Sequence, residues 1–295
     1  MIQTGTVRGD GASLYYERRG SGPALLMISG GGGDAGYYTE VADKLADAYT
    51  VLTYDRRGNS RSTVDDPTAP MRLDEQCADA LALLAHHDLP SALVFGGSGG
   101  AIIGLDLAAR HGAALDALIA HEPPPLSHMS TVEQKLFAEI TDIAHREGPW
   151  QAYARFITSI DHDDSPALIR NSTGRRVVAG LMKYGSRIAV RGPGGLRDVG
   201  RFMGNGEYLV TRELVPFLAF EPDYDALKAA KFPIVIGVGA DSGQYYPGRA
   251  AAEVAKRLGA PLVEFPGPHA GYTEKPAEFA VTLRETLAGL TEPAH

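Results

Sequence analysis

The feature that most constrains this chain is a serine set between four glycines, Gly96 to Gly100, directly after the apolar run Ala92 to Phe95. The run is typical of a buried strand, and the apolar segment from Ala101 onward is typical of a buried helix. A strand-to-helix turn of the form G-x-S-x-G holds a serine side chain clear of the backbone and requires small flanking residues. The alternative is a glycine-rich loop with an incidental serine. Because strand and helix flank the turn, we predict that Ser98 is a nucleophile.

The length and charge of the chain limit what it can be. Its 295 residues suit one large α/β domain with an insertion, or two modest domains. Acidic residues outnumber basic ones by 36 to 28, and no lysine and arginine cluster suggests a nucleic-acid partner. With no signal-like start and no membrane-spanning apolar run, we predict a cytoplasmic protein without a membrane partner. A single cysteine excludes an internal disulfide and multi-cysteine metal sites, and we predict neither metal nor cofactor.

Strand and helix patterns alternate along most of the chain, which favours a mostly parallel sheet covered on both faces. An amino-terminal hairpin is predicted around Asp10-Gly11. Six strands are predicted at Ala24 to Ser29, Thr50 to Tyr54, Ala92 to Phe95, Asp116 to His121, Pro233 to Gly239 and Pro261 to Phe265. Helices are predicted near 38–48, 73–86, 101–111, 249–258 and 276–290.

This alternation stops after Glu122 and resumes at Phe232-Pro233. We predict that residues 126–228 form an inserted helical lid, and that residues 1–125 and 229–295 form the core domain. An insertion at the carboxyl ends of the strands would cover the crevice where open α/β sheets bind ligands. Apolar residues near the end of the lid indicate either a bulky apolar substrate or the lid's own core; they are Leu209, Val210, Leu214, Phe217, Leu218 and Phe220.

A nucleophilic serine needs a base and an acid that orients the base. His269 lies after the last predicted strand, in a loop with two prolines and two glycines, and we predict that it is the base. Asp241 follows the strand ending at Gly239, and we predict that it is the acid. The order Ser98, Asp241, His269 is the order described for one hydrolase architecture.

Together these motifs resemble the α/β-hydrolase fold, and the resemblance covers nearly the whole chain outside the lid. A further segment, Tyr54 to Ser62, is similar to the family's D-x-R-G-x-G-x-S loop, with Ser60 where glycine is usual. The resemblance implies an eight-stranded, mostly parallel sheet and no chemistry from Asp55 or Arg57. It also implies an oxyanion hole made by the amides of Gly99 and Gly31.

Two site assignments remain open within this resemblance. The loop that supplies the second oxyanion amide begins Ser29-Gly30 instead of His-Gly, so Gly30 and Gly32 are alternatives to Gly31. Glu122 also ends a predicted strand, and some family members carry their acid there. We favour Asp241 as the acid, with Glu122 as an alternative acid or a pocket residue.

A second motif supports a different class of protein. Residues Gly31 to Gly36 match G-x-G-x-x-G, and Asp55 follows 19 residues after Gly36, as in NAD(P)-dependent oxidoreductases. A hairpin precedes this glycine loop, however, and the oxidoreductase hypothesis explains neither the serine turn nor His269.

We therefore predict a serine hydrolase that cleaves a carboxylic ester or lactone of a small molecule through an acyl-enzyme. Carbon–carbon hydrolases, hydroxynitrile lyases, transacylases and receptors that retain the triad share this fold, so the fold alone does not decide the reaction. The sequence leaves open whether the protein forms a homo-oligomer.

Overall fold

The computed structural model describes residues 1–160 and 167–291, and residues 161–166 of the predicted lid and 292–295 of the predicted core domain lie outside that description. The strands are β1 (Ile2–Gly9), β2 (Ala12–Arg19), β3 (Ala24–Ile28), β4 (Thr50–Tyr54), β5 (Thr63–Val64), β6 (Ala92–Gly97), β7 (Leu115–His121), β8 (Ile234–Gly239) and β9 (Leu262–Phe265). The helices are α1 (Thr39–Leu45), α2 (Leu73–His86), α3 (Gly99–Arg110), α4 (Thr131–Arg146), α5 (Pro149–Ile157), α6 (Ala167–Arg170), α7 (Ser172–Ala189), α8 (Gly194–Gly204), α9 (Gly206–Tyr208), α10 (Leu214–Leu218), α11 (Tyr224–Lys228), α12 (Tyr246–Leu258), α13 (Gly271–Glu274) and α14 (Pro276–Thr291).

One sheet organises these elements, in the order β1-β2-β4-β3-β6-β7-β8-β9. Strands β4, β3, β6, β7, β8 and β9 run parallel, and β1 and β2 form an antiparallel hairpin at one edge. The α/β-hydrolase fold class is therefore confirmed. The predicted number of eight strands is one too low, because the two-residue strand β5 also pairs with β2. A segment that short shows no alternation by which a sequence could reveal it.

The sheet separates two apolar cores. Along β6, Ala92 and Val94 belong to the core beneath α2, α3 and α12, whereas Leu93 and Phe95 belong to the core beneath α1 and α14. Successive side chains of a strand point to opposite faces, and helices on both faces bury them all. This explains why β6 is a continuous apolar run.

Helices α4 to α11 lie in sequence between β7 and β8, and the described part of residues 126–228 contains no strand. A third apolar core joins α4, α5, α6, α7 and α10, with Phe137, Ile140, Tyr153 and Leu214 among its members. Leu209–Glu213 form one π-helical turn between α9 and α10. Among the described helices, none is long and apolar enough to cross a bilayer.

Candidate active site

Ser98 occupies a strained turn between β6 and α3. Its backbone angles are φ 55° and ψ −120°, a region that non-glycine residues rarely adopt. A Cβ added at Gly96 would lie 2.3 Å from the carbonyl oxygen of Gly100, and one added at Gly100 would lie 2.0 Å from that of Ile28. Both glycines are therefore required for the close passage of strand and helix. The serine side chain remains partly exposed while its neighbours are buried.

Ser98 and His269 line the same cavity, which has a volume of about 240 Å³ and lies between the sheet edge and the inserted helices. Gly31, Gly99 and Ala270 line it on the core side. No Asp, Glu, Lys or Arg is among its described lining residues. The segment of residues 126–228, the predicted lid, contributes mostly aromatic and aliphatic side chains: Phe137, Tyr153, Phe156, Ile157, Ile160, Phe202, Leu209, Leu214, Phe217 and Leu218. Four of the six apolar residues near the end of the lid therefore line the cavity, and Val210 belongs to the lid core.

His269 is paired with Glu122 rather than with Asp241. The Nδ1 atom of His269 lies 2.5 Å from Oε2 of Glu122, and the Glu122 side chain is fully buried. Asp241 has a side chain that is 58% exposed and lies 3.3 Å from Nζ of Lys275. The geometry thus contradicts the preference for Asp241, which sits at the expected edge of the sheet but faces solvent.

The surroundings of Glu122 favour its ionised form. Its Oε1 atom accepts a hydrogen bond of 2.7 Å from the amide of Gly239 and another from the hydroxyl of Ser242. Burial alone would raise the pKa of Glu122, but the hydrogen bond and charge of His269, with smaller contributions from His121 and Ser242, lower it to about 2. Glu122 therefore presents a fixed negative charge to the imidazole at neutral pH.

Two amides flank Ser98 at the cavity. Gly99 is the first residue of α3, so its N–H has no partner within the helix. Gly31, in the loop after β3, also lines the cavity. Its neighbour Gly32 has φ 88° and approaches Phe202, and Gly30 approaches the backbone of Gly97. The structure therefore brings the two predicted oxyanion donors to one cavity with the serine.

Asp55 is not available for a dinucleotide. Its buried carboxylate accepts hydrogen bonds from the amide of Ala35 at 2.8 Å and from Nε of Arg61 at 2.6 Å. Arg57 is likewise paired with Asp79. The acidic residue of a dinucleotide-binding motif must hydrogen-bond a ribose hydroxyl. The Asp55 carboxylate is already engaged within the protein, so it cannot fill that role. The described residues contain no group of three or more His, Cys, Asp or Glu suited to a metal ion.

Sequence reasoning considered Arg56 and Arg57 only as possible ligands of a dinucleotide 2′-phosphate and missed the ion pair that Arg56 makes. Its fully buried guanidinium forms a two-pronged ion pair with Glu213, at 2.6 and 2.9 Å, on the π-helical turn of the lid. The available signal was a single acidic residue within the apolar end of the lid, since a charge in such a run needs a partner when buried. The sequence does not indicate that the partner lies 157 residues away.

Comparisons with known proteins agree with this architecture. A family model described as the alpha/beta hydrolase fold matches residues 23–141. The chain is 34% identical to "Uncharacterized hydrolase YraK" of Bacillus subtilis (strain 168) over 293 residues, covering 97% of this chain and 96% of that protein.

Solved structures resemble it as well. The match to the enol-lactonase from Burkholderia xenovorans LB400 spans 96% of this chain and 100% of the enol-lactonase chain, with a TM-score of 0.69 at 20% identity. The match to a thermophilic esterase from Thermogutta terrifontis spans 98% of this chain and 100% of the esterase chain, with a TM-score of 0.70 at 18% identity. The similarity to these two structures supports the fold. The match to YraK adds similarity in sequence over almost the whole length of the chain. The chain belongs to the α/β-hydrolase family and is a hydrolase of that fold.

Proposed function

We propose that this protein is a serine hydrolase that cleaves a neutral carboxylic ester or lactone through an acyl-enzyme. The single observation that supports this best is the cavity that the strained Ser98 shares with His269. The Nδ1 atom of this histidine is held by the buried Glu122. In this proposal Ser98 is the nucleophile, His269 the base and Glu122 the acid. Gly31 and Gly99 donate the oxyanion hydrogen bonds.

The proposed reaction has two halves. Nε2 of His269 takes the Ser98 proton as Oγ attacks the carbonyl carbon, and the carbonyl electron pair moves to oxygen to form a tetrahedral oxyanion. As the oxyanion reverts to a carbonyl, the ester C–O bond breaks and the imidazolium donates its proton to the departing alkoxide. Water then repeats these steps on the acyl-serine and releases the acid. Glu122 stays ionised throughout and stabilises the imidazolium.

The cavity lining favours an uncharged, apolar substrate. Moving an ionised group from water into an apolar cavity without a partner is costly, and the described lining offers no charged side chain besides the catalytic histidine. Its eight aromatic side chains would instead bury apolar surface, at about 25 cal/mol per Å². The solved structures that resemble this chain include an enol-lactonase and an esterase, which is consistent with this chemistry.

A panel of 4-nitrophenyl esters, neutral lactones and their carboxylate-bearing analogues tests the proposal. We expect turnover of neutral members by the wild type. Loss of a triad nucleophile in a comparable enzyme lowers turnover by on the order of 10⁶, so Ser98→Ala should be close to inactive. A Ser98→Ala protein that retains near-normal ester hydrolysis would contradict the mechanism, and a preference for the anionic analogues would contradict the substrate class.

A further inference from the structure

The loop that carries Gly31 is fixed through its carbonyl groups. Five consecutive carbonyl oxygens, from Ser29 to Gly33, each accept a hydrogen bond from a donor outside the loop. The donors are Nε of Arg56 to Ser29 at 2.9 Å, Nη2 of Arg56 to Gly30 at 2.8 Å, the Tyr37 hydroxyl to Gly31 at 3.2 Å, Nδ2 of Asn205 to Gly32 at 2.5 Å, and the Arg56 amide to Gly33 at 2.7 Å.

The contact to Gly30 has a direct consequence for the neighbouring amide. In a trans peptide, the carbonyl of Gly30 and the N–H of Gly31 lie in one plane and point in opposite directions within it. When Arg56 holds that carbonyl on one side of the loop, the Gly31 N–H is turned toward the other side. Gly31 lines the cavity with Ser98, so Arg56 holds the direction of this donor together with the Gly33 amide, which donates to the same carbonyl at 3.0 Å.

Arg56 is itself held by the lid. Both carboxylate oxygens of Glu213 bind its guanidinium, and Nδ2 of Asn59 donates to Oε1 of Glu213 at 2.9 Å. The side chains of Arg56 and Glu213 have no exposed surface. Glu213 ends the π-helical turn that begins at the cavity-lining Leu209, and π-turns are frequent at functional sites.

We propose that Glu213 is a positioning residue, which acts through Arg56 on the Gly31 amide. The oxyanion hole is then complete only while the end of the lid is seated on the glycine loop, so lid docking and catalysis are coupled. This inference rests on the proposed function. It also selects Gly31 over Gly30 and Gly32 as the second donor, because Gly31 is the one of these three glycines that belongs to the described cavity lining with Ser98.

Two variants test the proposal, so that the test does not depend on a single substitution that could prevent folding. Glu213→Gln removes the charge but leaves a buried cation, and the double variant Arg56→Met with Glu213→Leu removes the whole pair. Replacing a buried ion pair by apolar residues of similar volume is often neutral for stability. Fluorophosphonate titration counts active sites, so that kcat on 4-nitrophenyl esters is expressed per reactive Ser98.

We expect kcat per reactive site to fall in both variants by on the order of 10², the effect of losing one oxyanion donor, while KM changes little. The affinity for 2,2,2-trifluoroacetophenone, which forms a tetrahedral oxyanion adduct on a nucleophilic serine, should fall by a similar factor. A merely structural role would lower the number of reactive sites and leave kcat per site unchanged.

The matched control is the mostly buried ion pair between Arg175 and Glu147, in which Arg175 donates to Glu147 and to the carbonyls of Ile169 and Arg170 rather than to the glycine loop. Arg175→Met with Glu147→Leu should leave kcat per site unchanged. Unchanged kcat per site in Glu213→Gln and in the double variant, or an equal fall in the control, would overturn this inference but would leave the proposed function standing. A wild-type Ser98 that does not react with the fluorophosphonate would overturn the proposed function together with it.

Discussion

Nδ1 of His269 lies 2.5 Å from Oε2 of Glu122, a contact that joins the loop after β9 to the end of β7. Strand β8 lies between these two strands in the sheet, and it contributes the amide of Gly239 to the other carboxylate oxygen. Three adjacent strand ends therefore fix one carboxylate. The imidazole of His269 is thereby held at Nδ1 by a buried anion.

The first prediction separates the two candidate acids. Glu122→Gln should lower kcat by about 10⁴, the loss seen when a triad aspartate is replaced by its amide, because the histidine tautomer is no longer specified. Asp241→Asn should stay within about twofold of wild type, as surface substitutions away from a site usually do. Steady-state ester kinetics on both variants measure this. A larger loss in the Asp241 variant would restore that residue as the acid.

The second prediction concerns the cavity lining. Ile157→Asp places a carboxylate in the apolar cavity, and we expect KM for neutral esters to rise at least tenfold, since about 1.4 kcal/mol of lost binding is sufficient. Val132→Asp is the control, because Val132 is 77% exposed on α4 and does not line the cavity. An unchanged KM in the Ile157 variant would show that the substrate binds elsewhere.

The third prediction concerns pH and stability. His121 is buried among the rings of Phe95, Phe265 and Phe279, and burial lowers its pKa to about 4. In the unfolded chain the ring binds a proton below about pH 6.5, whereas in the folded protein it does so only below about 4. The free energy of unfolding should therefore fall as the pH drops from 6.5 to 4, by on the order of 3 kcal/mol.

Urea unfolding of the wild type and of His121→Phe at pH 7.0, 5.5 and 4.5 isolates this contribution from that of other titrating groups. The difference in unfolding free energy between the two proteins should move in favour of the variant as the pH falls. A difference that is independent of pH would show that the His121 ring is already charged in the folded state, or that it is accessible to water.

The fourth prediction contrasts two glycines. Gly185→Ala should stabilise the protein by about 0.5–1 kcal/mol, because a Cβ there meets no atom within 4 Å and alanine favours the helix α7. Gly100→Ala should instead destabilise it strongly, since the added Cβ would lie against the Ile28 carbonyl. Thermal unfolding measures both. A tolerated alanine at position 100 would contradict the tight turn on which the position of Ser98 depends.

Much of the fold follows from local patterns. Helix α2 is predicted and observed at Leu73–His86, and the buried parallel strands are apolar runs bounded by turns. The carboxylate that pairs with His269 was harder to predict, because Glu122 and Asp241 both follow strands at the same edge of the sheet. What separates them is side-chain direction: Glu122 has φ 49° and turns inward, and that backbone conformation has no sequence pattern. The Arg56–Glu213 pair was missed because it depends on tertiary packing across 157 residues.

Fluorophosphonate labelling of the wild type and of Ser98→Ala, followed by mass mapping of the labelled peptide, tests the central claim most directly. We predict one phosphonyl group per wild-type chain, located on Ser98, and no labelling of the variant. A label on another residue, equal labelling of the variant, or a wild-type protein that hydrolyses esters without reacting would contradict the account.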